Sequence, residues 1–270
     1  GEAGTGKQRM AHGIHQASRQ SQGPFIVYQC GDSTPDIMEQ ELFGVSVNKD
    51  VSHPGKLELA DGGTLFIDDI EKLPMELARN LAATLVTMES RRVGESTSRH
   101  INVRIIAACD GELRRYVERG DFPQELLDIV SGHTIRLPSL RNRKEDIGAL
   151  AAQMLKELAD MHQVPLKVLT VDAVDKLVSY DWPGNIKQLQ NVMESVFFNT
   201  PGDVINPENV DFTCSARKGR PWKEDKDVFV QLWSVAGGNI SRLANMLNVS
   251  RVTLYRYLKK FGLDKTIFDK

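Results

Sequence analysis

The stretch "GEAGTGKQ" (Gly1–Gln8) decides how the first half of the chain is read. Gly1, Gly6 and Lys7 satisfy the spacing G-x-x-x-x-G-K. A glycine-rich turn ahead of a helix directs backbone N–H groups at a phosphate, and the lysine adds a point charge. Gln8 stands where the common pattern has Ser or Thr. Further on, "GGTLFIDD" (62–69) ends an apolar, strand-like run in Asp68 and Asp69. A carboxylate there is placed to hold Mg²⁺, directly or through water, near phosphates. The two elements together predict a nucleotide site. Its candidates are Gly1, Gly4, Thr5, Gly6, Lys7 and Gln8 for ATP or ADP, with Asp68 for the metal.

The flanking pattern extends the same reading. "PFIVYQC" (24–30), "GTLFIDD" (63–69) and "NVRIIAACD" (102–110) are short, β-branched apolar runs of the kind that form buried parallel strands. Helical stretches such as Gln8–Ser18 and Met75–Met88 lie between them. Strand alternating with helix predicts an α/β layered fold with a parallel sheet over residues 1–143. From 144 to 212 the pattern turns helical. Apolar spacing runs through "EDIGALAAQMLKELADMH" (145–162), Thr170 is a plausible N-cap, and a Pro-Gly breaker precedes "GNIKQLQNVMESVFF" (184–198). Residues 200–212 read as turn and loop, and 213–225, polar and basic with Gly and Pro, as a linker.

Residues 226–270 read as a small all-α DNA-binding module. "GGN" (237–239) separates two helical pieces, and "NVS" (248–250) makes the turn into "RVTLYRYLKKFG" (251–262). Leu243, Ala244, Leu247, Val249, Leu254 and Leu258 are its expected core. Arg242, Arg251, Thr253, Arg256, Lys259 and Lys260 are the candidates for contact with double-stranded DNA. Arg251 and Thr253 lie early in the second helix, where side chains reach base edges, and Lys259 and Lys260 suit phosphate. Charge agrees with this division. Residues 213–270 carry 12 Lys and Arg against 5 Asp and Glu, a net +7, while the remainder carries 22 against 31, a net −9.

At 270 residues and 41% hydrophobic content the chain is long and apolar enough to bury a core in two or three domains, which excludes a disordered tail or a disulfide miniprotein. No run approaches 18 apolar residues, so no membrane helix is expected. Cys30, Cys109 and Cys214 are too scattered for a metal or disulfide framework and suit reduced thiols in a cytoplasm. His12 and His15, three apart, read as a solvated helix face. A phosphate loop at residue 1 leads to the expectation of an upstream strand and N-terminal domain beyond this sequence.

Several blocks in colinear order resemble the AAA+ domain of NtrC-type bacterial enhancer-binding proteins. They are "GEAGTGK", "ELFG" (41–44), "GKLELADGGTLFIDDI" (55–70), "VRIIAACDGEL" (103–113), "IRLPSLRNRKEDI" (135–147) and "WPGNIKQLQN" (182–191). The C-terminal module resembles the Fis-type helix-turn-helix of the same family. The resemblance implies an AAA+ core with a helical lid, assembly into a six-membered ring, and remodelling of the sigma-54 form of RNA polymerase. Gln8 fits it, because the family commonly carries Glu there.

Other positions depart from the family. The loop motif GAFTGA, which touches sigma-54, has no counterpart in the shorter "VSVNKDVSHPG" (45–55). The catalytic Glu after the acidic strand is replaced by Asp69, one methylene shorter, and its positioning Asn by Gln29. Two arginine fingers are replaced by Pro123 and Ile129 in "FPQELLDI" (122–129), and the lid arginine by Lys187. Cys109-Asp110 stands where the family usually has Thr-Asn. Arginine fingers contribute roughly 10³–10⁵ in rate in phosphoryl transfer. These departures lead to the expectation of a DNA-binding regulator with a degenerate AAA+ domain. That domain would serve for nucleotide binding and for assembly as a dimer or hexamer. It would act on RNA polymerase without remodelling sigma-54, as in the VpsR-type biofilm regulators, whose control ligand is cyclic di-GMP. The alternative is an active ATPase that opens sigma-54 promoters.

Overall fold

The computed structural model describes residues 1–31, 33–48 and 51–212, and beyond them positions 229, 230, 233, 240, 243, 244, 254 and 257. It divides into two compact units: Gly1–Arg143 with Gly184–Lys187, and Lys144–Pro183 with Gln188–Lys270.

In the first unit, α1 (Lys7–Gln16) leads into β1 (Phe25–Gln29) and α2 (Pro35–Phe43). The hairpin β2 (Gly44–Asn48) and β3 (Val51–Pro54) and the short α3 (Lys56–Leu59) follow. Next come β4 (Thr64–Asp68), α4 (Met75–Thr87), the hairpin β5 (Glu89–Arg91) and β6 (Ser98–His100), and β7 (Arg104–Ala107). The helices α5 (Leu113–Glu118) and α6 (Gln124–Val130) close the unit.

The three expected strands form one parallel sheet of order β1-β4-β7, in register Phe25↔Thr64 and Thr64↔Arg104. Parallel neighbours need long crossovers, and the helices between these strands supply them. In the central β4, Thr64 to Ile67 are all buried, because both faces are covered. This is why the run reads as continuously apolar rather than alternating. Leu57, Leu65, Ile67, Leu81 and Leu126 anchor the core. The helix expected over Met75–Met88 is α4, closed by Met88 in the left-handed region at φ 55°.

Two features differ from the expectation. His15 is buried, not solvated, and its Nδ1 lies 2.9 Å from the Thr64 Oγ1. The β2–β3 and β5–β6 hairpins were not foreseen. The strands of the second are only three residues long and carry no hydrophobic run for periodicity to detect.

In the second unit, α7 (Glu145–His162), β8 (Val168–Leu169), α8 (Val171–Ser179), α9 (Asn185–Asn199) and β9 (Val204–Ile205) follow in order, the opening residues of α9 falling in the first unit. The Thr170 hydroxyl caps α8, accepting the Ala173 N–H at 3.3 Å. Residues 200–212, expected as loop, contain β9, which pairs in parallel with β8, and a 3₁₀ turn at Pro207–Asn209. A two-residue strand leaves no period-two signature. The buried Trp182 donates its indole N–H to the Leu177 carbonyl at 2.8 Å and meets Tyr180 edge-on.

Of the expected helix-turn-helix core, Leu243, Ala244 and Leu254 are buried, as are Phe229 and Trp233. Arg242, Arg251, Thr253, Arg256, Lys259 and Lys260 lie outside the described residues. Among the described residues, no helix is long and apolar enough to cross a membrane.

Candidate functional site

The glycine loop closes into the start of α1 with Gly4 at φ 77° and Gly6 at φ 97°. Side chains rarely adopt this conformation, so glycine is favoured. At Gly4 a second reason applies: an added Cβ would lie 2.4 Å from the Gly184 carbonyl oxygen. Thr5 is buried inside the loop and its hydroxyl donates to the Glu2 carbonyl at 2.7 Å. Gln8 is exposed on the first turn of α1.

The loop is braced by residues distant in sequence. Asn185, fully buried at φ 53°, donates to the Ala3 carbonyl at 2.9 Å and accepts the Leu140 N–H at 2.8 Å. Arg143 donates to the Thr5 carbonyl at 3.2 Å, and Arg141 forms a forked ion pair with Glu2. The Arg141 pairing holds the Glu2 carboxyl below its ordinary range. The Lys187 N–H donates to the Gly4 carbonyl at 3.2 Å, which places the base of that exposed side chain against the loop.

Lys7 reaches from the loop to the sheet. Its ammonium donates to the Gly1 carbonyl at 3.1 Å and forms an ion pair with Asp110, three residues past the end of β7. The parallel pairing of β4 and β7 brings Asp110 beside the acidic end of β4. Asp68 is half-buried, and burial pushes its carboxyl above the ordinary range while Lys7 pulls it back. Asp69 takes the left-handed conformation at φ 54°, which Asp tolerates better than most residues. Its Oδ2 accepts from Gln29 Nε2 at 2.9 Å and from Lys72 Nζ at 2.6 Å. Carboxylate oxygens of Asp69, Glu71 and Asp110 lie within 4.8 Å of one another. The Asp110 N–H donates to Glu71 at 3.3 Å.

The structure therefore brings Gly1, Gly4, Thr5, Gly6, Lys7, Asp68, Asp69 and Lys187 into one unit. The donor set suits a nucleotide with a hard cation: a cradle of backbone N–H groups too tight for side chains at Gly4, one ammonium, and carboxylate oxygens at strand ends. Gln29 bonds Asp69 despite both length changes, because the longer amide makes up the methylene that Asp69 lacks. Sequence reasoning did not find Asn185, Arg143, Glu71 or Lys72 as parts of the site. Asn185 lies inside the quoted block "WPGNIKQLQN", where a polar residue after Pro-Gly is the only signal.

Comparison with known proteins defines the class. Residues 1–136 match the sigma-54 interaction domain, 141–226 the AAA+ ATPase lid domain, and 231–261 the Fis family of bacterial regulatory proteins. The chain belongs to the NtrC-type sigma-54 activator family, with an AAA+ P-loop core, a helical lid and a Fis-type helix-turn-helix.

Among curated relatives it is 34% identical to the transcriptional regulatory protein ZraR of Escherichia coli O157:H7, over 96% of this chain and 62% of that protein. It is 35% identical to a Geobacillus stearothermophilus protein named limonene hydroxylase, over 100% and 52%. NtrX from Brucella abortus, solved with ADP and with ATP, superposes with a TM-score of 0.72 at 28% identity, over 97% of this chain and 63% of that one. The chain thus spans between half and two thirds of the length of these relatives.

Proposed function

We propose that the chain is the motor and DNA-binding portion of a transcription regulator whose AAA+ domain binds nucleotide but hydrolyses it poorly. The proposed domains are the core (1–143), lid (144–212), linker (213–225) and DNA-binding module (226–270). In this reading Gly1, Gly4, Thr5, Gly6, Lys7, Gln8 and Lys187 hold ATP or ADP. Asp68 holds Mg²⁺, which would neutralise phosphate charge when bound. The DNA contacts come from Arg242, Arg251, Thr253, Arg256, Lys259 and Lys260. RNA polymerase is the partner, the assembly is a dimer or hexamer, and the compartment is the cytoplasm.

The observation that carries poor hydrolysis is the engagement of Asp69. Its Oδ2 is ion-paired with the Lys72 ammonium, so a water approaching that oxygen must compete with a cation. Pro123, buried, and Ile129, 38% exposed, stand at the expected finger positions and carry no charge. The replacement of the GAFTGA loop by the β2–β3 hairpin supports action without sigma-54 remodelling. Cyclic di-GMP is the proposed alternative to ATP or ADP as the ligand, by likeness to the VpsR-type branch.

One observation favours an active ATPase: the retained Gln29–Asp69 hydrogen bond keeps a positioned carboxylate at the strand end. A steady-state phosphate-release assay at high protein concentration separates the two. The expected rate is at least about 10³-fold below the roughly one per second of a working motor. Turnover near one per second, abolished by Lys7→Ala, establishes the ATPase instead. Titrating ATP, ADP and cyclic di-GMP identifies the ligand. Operator binding should survive Lys7→Ala and be lost in Arg256→Ala.

A further inference from the structure

The phosphate-loop lysine is the one ammonium that a loop of this kind extends toward the β- and γ-phosphates of its ligand. Here that ammonium has a carboxylate partner within the protein. The Lys7 side chain is only 12% exposed, held between the Gly1 carbonyl and Asp110. Asp110 is not an isolated surface acid folded onto it. It lies three residues past the end of β7, its N–H is tied to Glu71, and its carboxylate clusters with those of Asp69 and Glu71. Glu71 Oε2 is buried and has no hydrogen-bond partner among the described residues, so this corner carries negative charge that its neighbours do not fully compensate. Lys72 is committed to Asp69 by its 2.6 Å bond.

We propose that Asp110 makes the site select a nucleoside diphosphate over a triphosphate, by holding a carboxylate on the Lys7 ammonium where the third phosphate would also need it. This deepens the nucleotide-binding reading above and rests on it. The physical basis is direct. A phosphate approaching Lys7 must displace or share a charge-assisted bond that the protein already makes. The outermost phosphate of a triphosphate also brings extra negative charge toward the corner of Asp69, Glu71 and Asp110, and like charges repel wherever a cation does not lie between them. A diphosphate cradled by the glycine loop meets the same N–H groups and leaves that charge behind. Asn at position 110, as in the family pattern, would present a neutral donor; Asp presents a charged acceptor.

The test is calorimetric titration of the full 270-residue chain with ADP and with a non-hydrolysable ATP analogue, at one fixed Mg²⁺ concentration, for the wild type and Asp110→Asn. The wild type is expected to bind ADP about tenfold or more tightly than the analogue. Asp110→Asn should close that gap by about tenfold, mainly by tightening the triphosphate, the order expected for one charge-assisted hydrogen bond. Equal or tighter binding of the analogue by the wild type overturns the proposal while leaving nucleotide binding intact. So does an unchanged ratio in the variant. If the wild type binds neither ligand, the nucleotide-binding reading falls and this inference with it. Thermal melting checks that Asp110→Asn is folded. Asp110→Ser carries the variant arm if it is not, and the wild-type ratio decides by itself if both variants unfold.

Discussion

Asp69 and Gln29 make the case at the scale of single residues. The family pattern has a long acid and a short amide at these positions, and here the lengths are exchanged while the 2.9 Å bond survives. Either change alone would leave a gap or a clash of one methylene. Reverting one position should therefore cost more than reverting both. We expect Asp69→Glu and Gln29→Asn each to lower stability, with the double variant recovering about 1 kcal/mol relative to their sum in denaturant melts. Additivity within about 0.3 kcal/mol shows that the two side chains are not coupled. At this scale the sequence showed which atoms were present but not where they point. Asp69 was legible as a departure from pattern; the second donor on its carboxylate, Lys72, was not, because only the left-handed turn at Asp69 brings position 72 back to it.

Whole elements were legible in proportion to their hydrophobic signal. The strands β1, β4 and β7 and the helices α4, α7 and α8 each carry a run or stripe of apolar residues long enough to register. The β5–β6 and β8–β9 pairs are two or three residues long, and backbone pairing rather than side-chain pattern defines them. The Thr170 cap was legible because capping is local chemistry: its hydroxyl meets the Ala173 N–H within one turn. Thr170→Ala is expected to destabilise the helical unit by about 1 kcal/mol, and Thr170→Ser to recover most of it. Equal melting of Thr170→Ala and wild type removes the cap from the account of α8. Asn185 belongs to the other extreme. It opens a helix, yet its partners are at positions 2, 3 and 140, and nothing nearby in the sequence announces them.

At the scale of the molecule, the division of charge predicts behaviour in solution. A +7 segment attached to a −9 body should bind DNA through counterion release. For a dimer making five phosphate contacts, the log–log slope of affinity against salt is expected near −4.5. A slope near zero in fluorescence anisotropy would remove the electrostatic basis of the module.

The strand order β1-β4-β7 has a different consequence, for the time the protein takes to assemble. Phe25 waits for Thr64, and Thr64 for Arg104, so each pairing in the sheet needs about forty more residues to emerge from the ribosome. At 5–20 residues per second that is roughly 2–8 s per strand. For that interval Leu65, Phe66 and Ile67, which end with both faces of their strand covered, have no finished sheet to join. The nascent chain is then at its most adhesive, and a chaperone acting on this protein would find its work in that window.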